Sequence, residues 1–246
     1  MQIIPAFVTQ NKCYQAGAPL TPRGIMLHSV GTPQPSAAVF ARSFNQYQPG
    51  GVSVCVHAFA QADGTVYQLL PWEMRGWHCG GSANSTHIGV EMTEPSAGMT
   101  YAEAAEQIAG TYHTAVELFA ALCKQYGLDP AQDGVIIGHA EGHRRGVASN
   151  HADPELLWRT YDMGYTMDGF RRDVAEAMKN GAREEALDMP RYDSVAEMPQ
   201  WARADAQRLI DRGALQGNTD GKLDVSEDML RTMIVCQRML DEQKET

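Results

Sequence analysis

Long hydrophobic runs are missing from this chain of 246 residues. No apolar stretch approaches the ~20 residues that carry a helix across a bilayer, so a membrane span is not expected. Cysteines with metal-finger or redox spacing are missing too. Cys13, Cys55, Cys79, Cys123 and Cys236 are odd in number, widely spread and form no Cys-x-x-Cys, which speaks against a disulfide framework and fits a reducing compartment. Basic charge is scarce: 20 Lys and Arg stand against 30 Asp and Glu, a net −10. Binding through nucleic-acid phosphates needs a basic face, so neither DNA nor RNA is an expected partner. The His-Glu-x-x-His signature of helix-borne zinc peptidases is absent. Met1–Val8 lacks both the basic start and the long apolar core of a secretory signal, so synthesis in the cytoplasm is expected. What remains, 43% hydrophobic and 20% charged residues, is the composition of a folded globular chain, not of a disordered or fibrous one.

The order of elements predicts an α/β fold. Residues 24–30 read as a buried strand. Ser36 is placed to cap a helix to about Tyr47, ended by Pro49-Gly50-Gly51. Residues 52–60 alternate, with Val52, Val54 and Val56 on one face and Ser53, Cys55 and His57 on the other. Asp63-Gly64 turns into a strand at residues 65–70, and residues 87–93 form another. Thr100 and Glu103 make a capping box for a long helix to about Tyr126, stopped by Gly127. Residues 135–138 are a short buried strand, followed by a loop to Pro154 and helices near 155–162 and 167–179. The expected architecture is a central mixed β-sheet flanked by helices. Asn180-Gly181 and Pro190 mark residues 180–196 as a linker between a catalytic domain, 1–179, and a small helical tail, 197–246. Residues 181–246 carry 14 acidic and 9 basic side chains. Trp201, Leu209 and Ile210 line one tail helix. Ser226 opens a second, with Met229, Leu230, Met233, Cys236, Met239 and Leu240 as its apolar positions.

Eight histidines are many for this length, and several sit at strand ends or beside acids: His28, His139 and His151-Ala152-Asp153. A catalytic zinc site needs three protein ligands and one open position, and imidazole nitrogen and carboxylate oxygen suit it. A lone histidine is more often a structural residue than a ligand. The surrounding sequence changes that balance.

Leu27-His28-Ser29, Val56-His57-Ala58-Phe59, Gly76-Trp77-His78-Cys79-Gly80, Ile88-Gly89-Val90-Glu91 and Gly138-His139 through Ser149-Asn150-His151-Ala152-Asp153-Pro154 follow one another in fixed order. Over residues 20–178 this pattern resembles the zinc-dependent N-acetylmuramoyl-L-alanine amidases of the peptidoglycan-recognition-protein type, and within them the phage and Gram-positive endolysins. The resemblance implies that His28, His139 and Asp153 hold Zn2+, which polarises the scissile carbonyl and acidifies water. It places His151 as the oxyanion stabiliser. One branch of the family uses a tyrosine base where this chain has Val56; the other uses a glutamate, here Glu91. Trp77 and His78 match a wall of the substrate groove. His57 is grouped with them, its other reading being support behind the ligands. Glu141 and His143 compete with His139 as ligands and rank below it. His87 and His113 read as packing or surface residues, Arg144-Arg145 as a solvated pair, and Cys79 as a small buried residue.

The implied activity is hydrolysis of the amide between N-acetylmuramic acid and L-alanine in the peptidoglycan of a Gram-positive wall, reached once the host membrane is permeabilised. The alternatives are a peptidoglycan-binding module without activity and a cytoplasmic muropeptide-recycling amidase. The complete ligand set favours catalysis. The tail resembles a single surface-layer-homology-like motif. That resemblance implies wall binding, set against a packing element that makes a homo-oligomer through its helices.

Overall fold

The computed structural model describes residues 1–46, 54–188 and 190–242. Unit one, Met1–Lys179, holds β1 (Gln2–Pro5), α1 (Lys12–Ala16), β2 (Gly24–Ser29), α2 (Ala37–Phe44), β3 (Ala58–Ala60), β4 (Thr65–Gln68) and β5 (His87–Met92). It continues with α3 (Tyr101–Tyr126), β6 (Ile136–Gly138), α4 (His139–Arg144), α5 (Glu155–Thr160) and α6, which runs from Met167 to Asp188. The strands form one sheet in the order β1-β4-β3-β5-β2-β6. Every pairing is parallel except β3 with β4, joined through Asp63-Gly64, so the sheet is mixed as expected.

Alternation along the strands assigns the two faces. Ile25 and Leu27 of β2 and Ile88, Val90 and Met92 of β5 pack with Ile108, Ala115, Phe119 and Leu122 of α3. The long helix lies on that face because its 3.6-residue stripe matches it, and because both ends are finished. Thr100 and Glu103 close the capping box, and Gly127 at φ 62° ends the helix in the left-handed region. Residues of opposite parity in the same strands, Met26 and His28, Gly89 and Glu91, therefore point to the other face. In register, Met26 lies beside Gly89 and His28 beside Glu91. One strand pair thus brings a basic and an acidic side chain together above the sheet.

Several expectations need correction. The strand expected over 52–60 is only Ala58–Ala60, and Cys55 makes an isolated bridge to Trp77 instead. Val52 and Ser53 lie outside the described residues, as do Tyr47 and Pro49-Gly50-Gly51. The helix after Ser36 ends at Phe44, and the Ser36 hydroxyl makes no cap bond. The edge strand β1 and the short α1 were not expected. β1 has only partly buried or exposed residues and so no alternation to read. The loop expected after β6 begins with α4.

Unit two, Asn180–Thr246, contains β7 (Arg191–Tyr192), α7 (Gln200–Asp211), β8 (Val225–Ser226) and α8 (Glu227–Glu242). The expected linker is structured at both ends. α6 continues through Asn180-Gly181 to Asp188, and β7 pairs antiparallel with β8. The Tyr192 hydroxyl donates to Glu227 at 2.7 Å, and Arg191 meets Asp224 at 2.7 Å. The buried face of α7 is Ala202, Asp205, Ala206 and Leu209, packed with Leu230 and Ile234. Trp201 is instead 42% exposed, with the Arg231 guanidinium 4.6 Å from its ring centroid. Met229 and Cys236 are also exposed, and the side chains of Met239 and Leu240 lie outside the described residues. Asp205 is buried because Arg208 and Arg238 flank it, the latter at 2.5 Å. Among the described residues no helix is long and apolar enough to cross a membrane.

Candidate metal centre and its cleft

His28 stands near the end of β2, His139 opens α4 directly after β6, and Asp153 lies in the loop before α5. Adjacent parallel strands ending together place the two histidines side by side, and Ala140 N–H donates to the Asp153 carbonyl at 3.0 Å, which draws the loop in. The His28 and His139 Nδ1 atoms lie 3.0 Å apart. Asp153 Oδ2 is 3.2 Å from His28 Nδ1, and Oδ1 is 3.5 Å from His139 Nδ1. Ligand atoms of all three residues fall within 4.8 Å of one another. Two imidazoles and one carboxylate, close-set and shielded, are a donor set that fits zinc and leaves a coordination position free.

The electrostatics agree with that chemistry. Burial would push the Asp153 carboxyl up, but its hydrogen bonds and charge contacts with His139 and His28 override this and hold it well below the usual carboxylate range. Burial lowers the His28 pKa, keeping the ring neutral, as a metal ligand must be.

Glu91 lies beside His28 on β5 and lines the same cleft, which has a volume of about 930 Å³. Its Oε2 is buried without a hydrogen-bond partner. Burial first, then the charges of Asp153 and Glu94, push its pKa well above the ordinary glutamate value. An unpaired, cleft-facing carboxyl with raised proton affinity has the properties of a general base. His151 is exposed at the rim, its ring 4.5 Å from that of His139 and its Nδ1 3.1 Å from the Ser149 hydroxyl.

Trp77 lines the cleft. His78 also touches it, but its ring nitrogens are engaged inward, Nδ1 with His28 Nε2 at 3.0 Å and Nε2 with the His87 carbonyl at 3.1 Å. Burial and the neighbouring His28 and His57 rings hold its pKa well below normal. The substrate-side grouping of His57 is corrected. His57 is 0% exposed, accepts from Gly89 N–H at Nδ1 and donates from Nε2 to the Met74 carbonyl. Burial lowers its pKa to about 4. It braces the sheet and cannot meet substrate.

The lower-ranked residues fall elsewhere. Glu141 is held by Arg145 and Arg171, and His143 is exposed over a second cavity. Arg145 is more tied than expected, paired with both Asp133 and Glu141. His87 is buried and bonded to Gly134 and Thr86, His113 is exposed, and Cys79 is buried. Sequence reasoning missed Ser149, 3.2 Å from His139 Nε2, and Asn84, whose Oδ1 accepts from His78 N–H at 2.9 Å and Cys79 N–H at 3.0 Å. Nothing in the local sequence marks either residue.

The mixed sheet thus carries a His-His-Asp cluster that could hold a metal ion, with a half-buried glutamate beside it in an open cleft. The family follows from comparison: residues 18–156, more than half of the chain, match the N-acetylmuramoyl-L-alanine amidase family, and the chain belongs to it. Similar solved structures include the Staphylococcus aureus hydrolase AmiA, at 20% identity over 74% of this chain and 85% of that one, with a TM-score of 0.58. A mutant endolysin from Bacillus subtilis is 22% identical over 71% of this chain and 99% of its own, with a TM-score of 0.53. The catalytic domain of XlyA gives the same identity and coverage, with a TM-score of 0.52. At these identities they establish a shared fold. Comparison with curated proteins gave no match.

Proposed function

We propose that this chain is a zinc-dependent, endolysin-type amidase that hydrolyses the bond between N-acetylmuramic acid and L-alanine in Gram-positive peptidoglycan. The observation that carries the reading is the convergence of His28, His139 and Asp153 beside an unpaired Glu91 in an open cleft. Zinc held by the three ligands supplies Lewis-acid polarisation of the carbonyl and an acidified water.

The remaining steps belong to side chains of this chain. Glu91 accepts the proton of the attacking water at its unpaired oxygen and returns it to the departing L-alanine nitrogen. His151, at the rim, donates an N–H to the carbonyl oxygen as negative charge develops there. Trp77 offers an apolar wall against which the muropeptide is held. A cleft rather than a closed pocket suits a polymer, since a cross-linked glycan strand can be gripped only from outside.

Digestion of purified Gram-positive peptidoglycan tests the reading. The expected result is new L-alanine amino termini that vanish with a chelator and return with zinc. New reducing ends in their place would show a glycosidase and overturn the assignment.

A further inference from the structure

Where each hydrogen-bond chain behind the ligands ends decides where the ligand protons sit. A carbonyl oxygen only accepts, so His78 Nε2, 3.1 Å from the His87 carbonyl, carries a proton. The neutral His78 ring then presents a lone pair at Nδ1. His28 Nε2, 3.0 Å away, donates to it, and His28 Nδ1 is turned toward Asp153. A second chain runs behind His139. The Cys79 carbonyl takes the single hydroxyl hydrogen of Ser149 at 3.0 Å. Ser149 Oγ can then only accept from His139 Nε2, 3.2 Å away, which turns His139 Nδ1 toward His28 and Asp153. The two Nδ1 atoms therefore face each other at 3.0 Å, beside the Asp153 carboxylate. Without metal a proton can be shared between these Nδ1 atoms and the Asp153 carboxylate, and a bound cation takes its place.

We propose that His78 and Ser149 are positioning residues that lock the Nε2–H tautomers of His28 and His139, so that both Nδ1 atoms are committed to the metal. The proposal rests on the metal-centre reading above and extends it to the residues behind the ligands. A separate observation, the placement of glycines, supports it. A Cβ at Gly89 would lie 2.4 Å from His78 Cγ, and one at Gly76 would lie 2.8 Å from His57 Cε1 and 3.0 Å from His78 Cδ2. At Gly80 it would lie 3.0 Å from Ser149 Oγ. The Gly89 contact is closer than a Cβ comes and the 3.0 Å contacts are tighter than most, so Gly89 leaves the space that His78 occupies, Gly76 that of His57 and His78, and Gly80 that of Ser149. Both chains also end on one segment, the Cys79 and His87 carbonyls, and buried Asn84 ties the start of that segment through His78 N–H and Cys79 N–H. One short stretch of backbone thereby sets the proton on both ligands.

Two measurements test this. In the metal-free protein, ring-nitrogen NMR is expected to show a proton at Nε2 of both His28 and His139; a bare Nε2 on either ring overturns the proposal. In competition with a zinc-chelating dye, Ser149→Ala is expected to weaken zinc affinity about 10–100-fold, while Ser149→Thr, which keeps the hydroxyl, restores it. A folded Ser149→Ala protein with wild-type affinity overturns the role of Ser149. Wild-type protein that takes up no zinc overturns the metal reading itself, and the ring spectrum still decides the proton placement.

Discussion

His28 and His139 meet Nδ1 to Nδ1 at 3.0 Å across 111 residues of sequence. The contact exists because β2 and β6 are parallel neighbours in the sheet, so the two strand ends open on the same edge. Asp153 closes the triangle from a loop, and the shortest side is the one the sheet itself builds. A centre so dependent on backbone register should tolerate change in its ligands poorly and change in its surroundings in graded fashion.

Replacement of a ligand should separate fold from activity. His139→Ala is expected to keep the circular-dichroism spectrum of the wild type and to release no L-alanine amino termini from peptidoglycan. Full activity of this variant would remove His139 from the metal site.

Glu91→Gln keeps the shape of the side chain and removes its basicity. We expect kcat to fall by about 10²–10⁴-fold, with zinc content unchanged by elemental analysis. A loss confined to KM would show that Glu91 binds substrate and moves no proton.

The space beside His78 makes Gly89 a sensitive position. Because a Cβ there would lie 2.4 Å from His78 Cγ, Gly89→Ala should cost about 1–3 kcal/mol in urea unfolding. Gly64, at φ 83° but with open space around it, should by contrast lose stability only through its backbone conformation.

Acid should weaken the fold through His57. Burial lowers its pKa from 6.5 to about 4 in the native state, so between those values the unfolded chain binds the extra proton. Stability from this group is full above pH 6.5 and declines as pH falls toward 4, by on the order of 3 kcal/mol in all. His57→Gln should be less stable than wild type at pH 7 and flatter across this window, with denaturant midpoints at pH 7 and pH 4.5 as the measurement. An equally steep decline in the variant would assign the acid sensitivity to other groups.

Much of the frame was legible because it repeats. The period of α3, its Thr100–Glu103 start and its Gly127 stop are local signals, and the structure keeps all three. The strands near residues 24–30 and 87–93 were legible too, but only their pairing register places His28 beside Glu91. Weak or absent local signals explain the misses. β1 is an exposed edge strand, and α1 and α4 are each under seven residues. Trp201 looked like a core anchor on hydrophobicity alone, yet α7 buries the small residues Ala202 and Ala206 and leaves the indole to Arg231.

What the chain's order of residues determined by itself is therefore the type of its main elements, since that depends on neighbours a few positions away. What only the tertiary structure decided is which histidines meet in the cluster with Asp153 and which lie behind it. His57 and His78 sit in motifs as suggestive as those of His28 and His139. Long-range contacts alone turn the first into a buried brace on Met74 and Gly89, and the second into a link between His28 and the His87 carbonyl. A histidine's role follows from what its two ring nitrogens meet, and those partners are set by packing between distant segments.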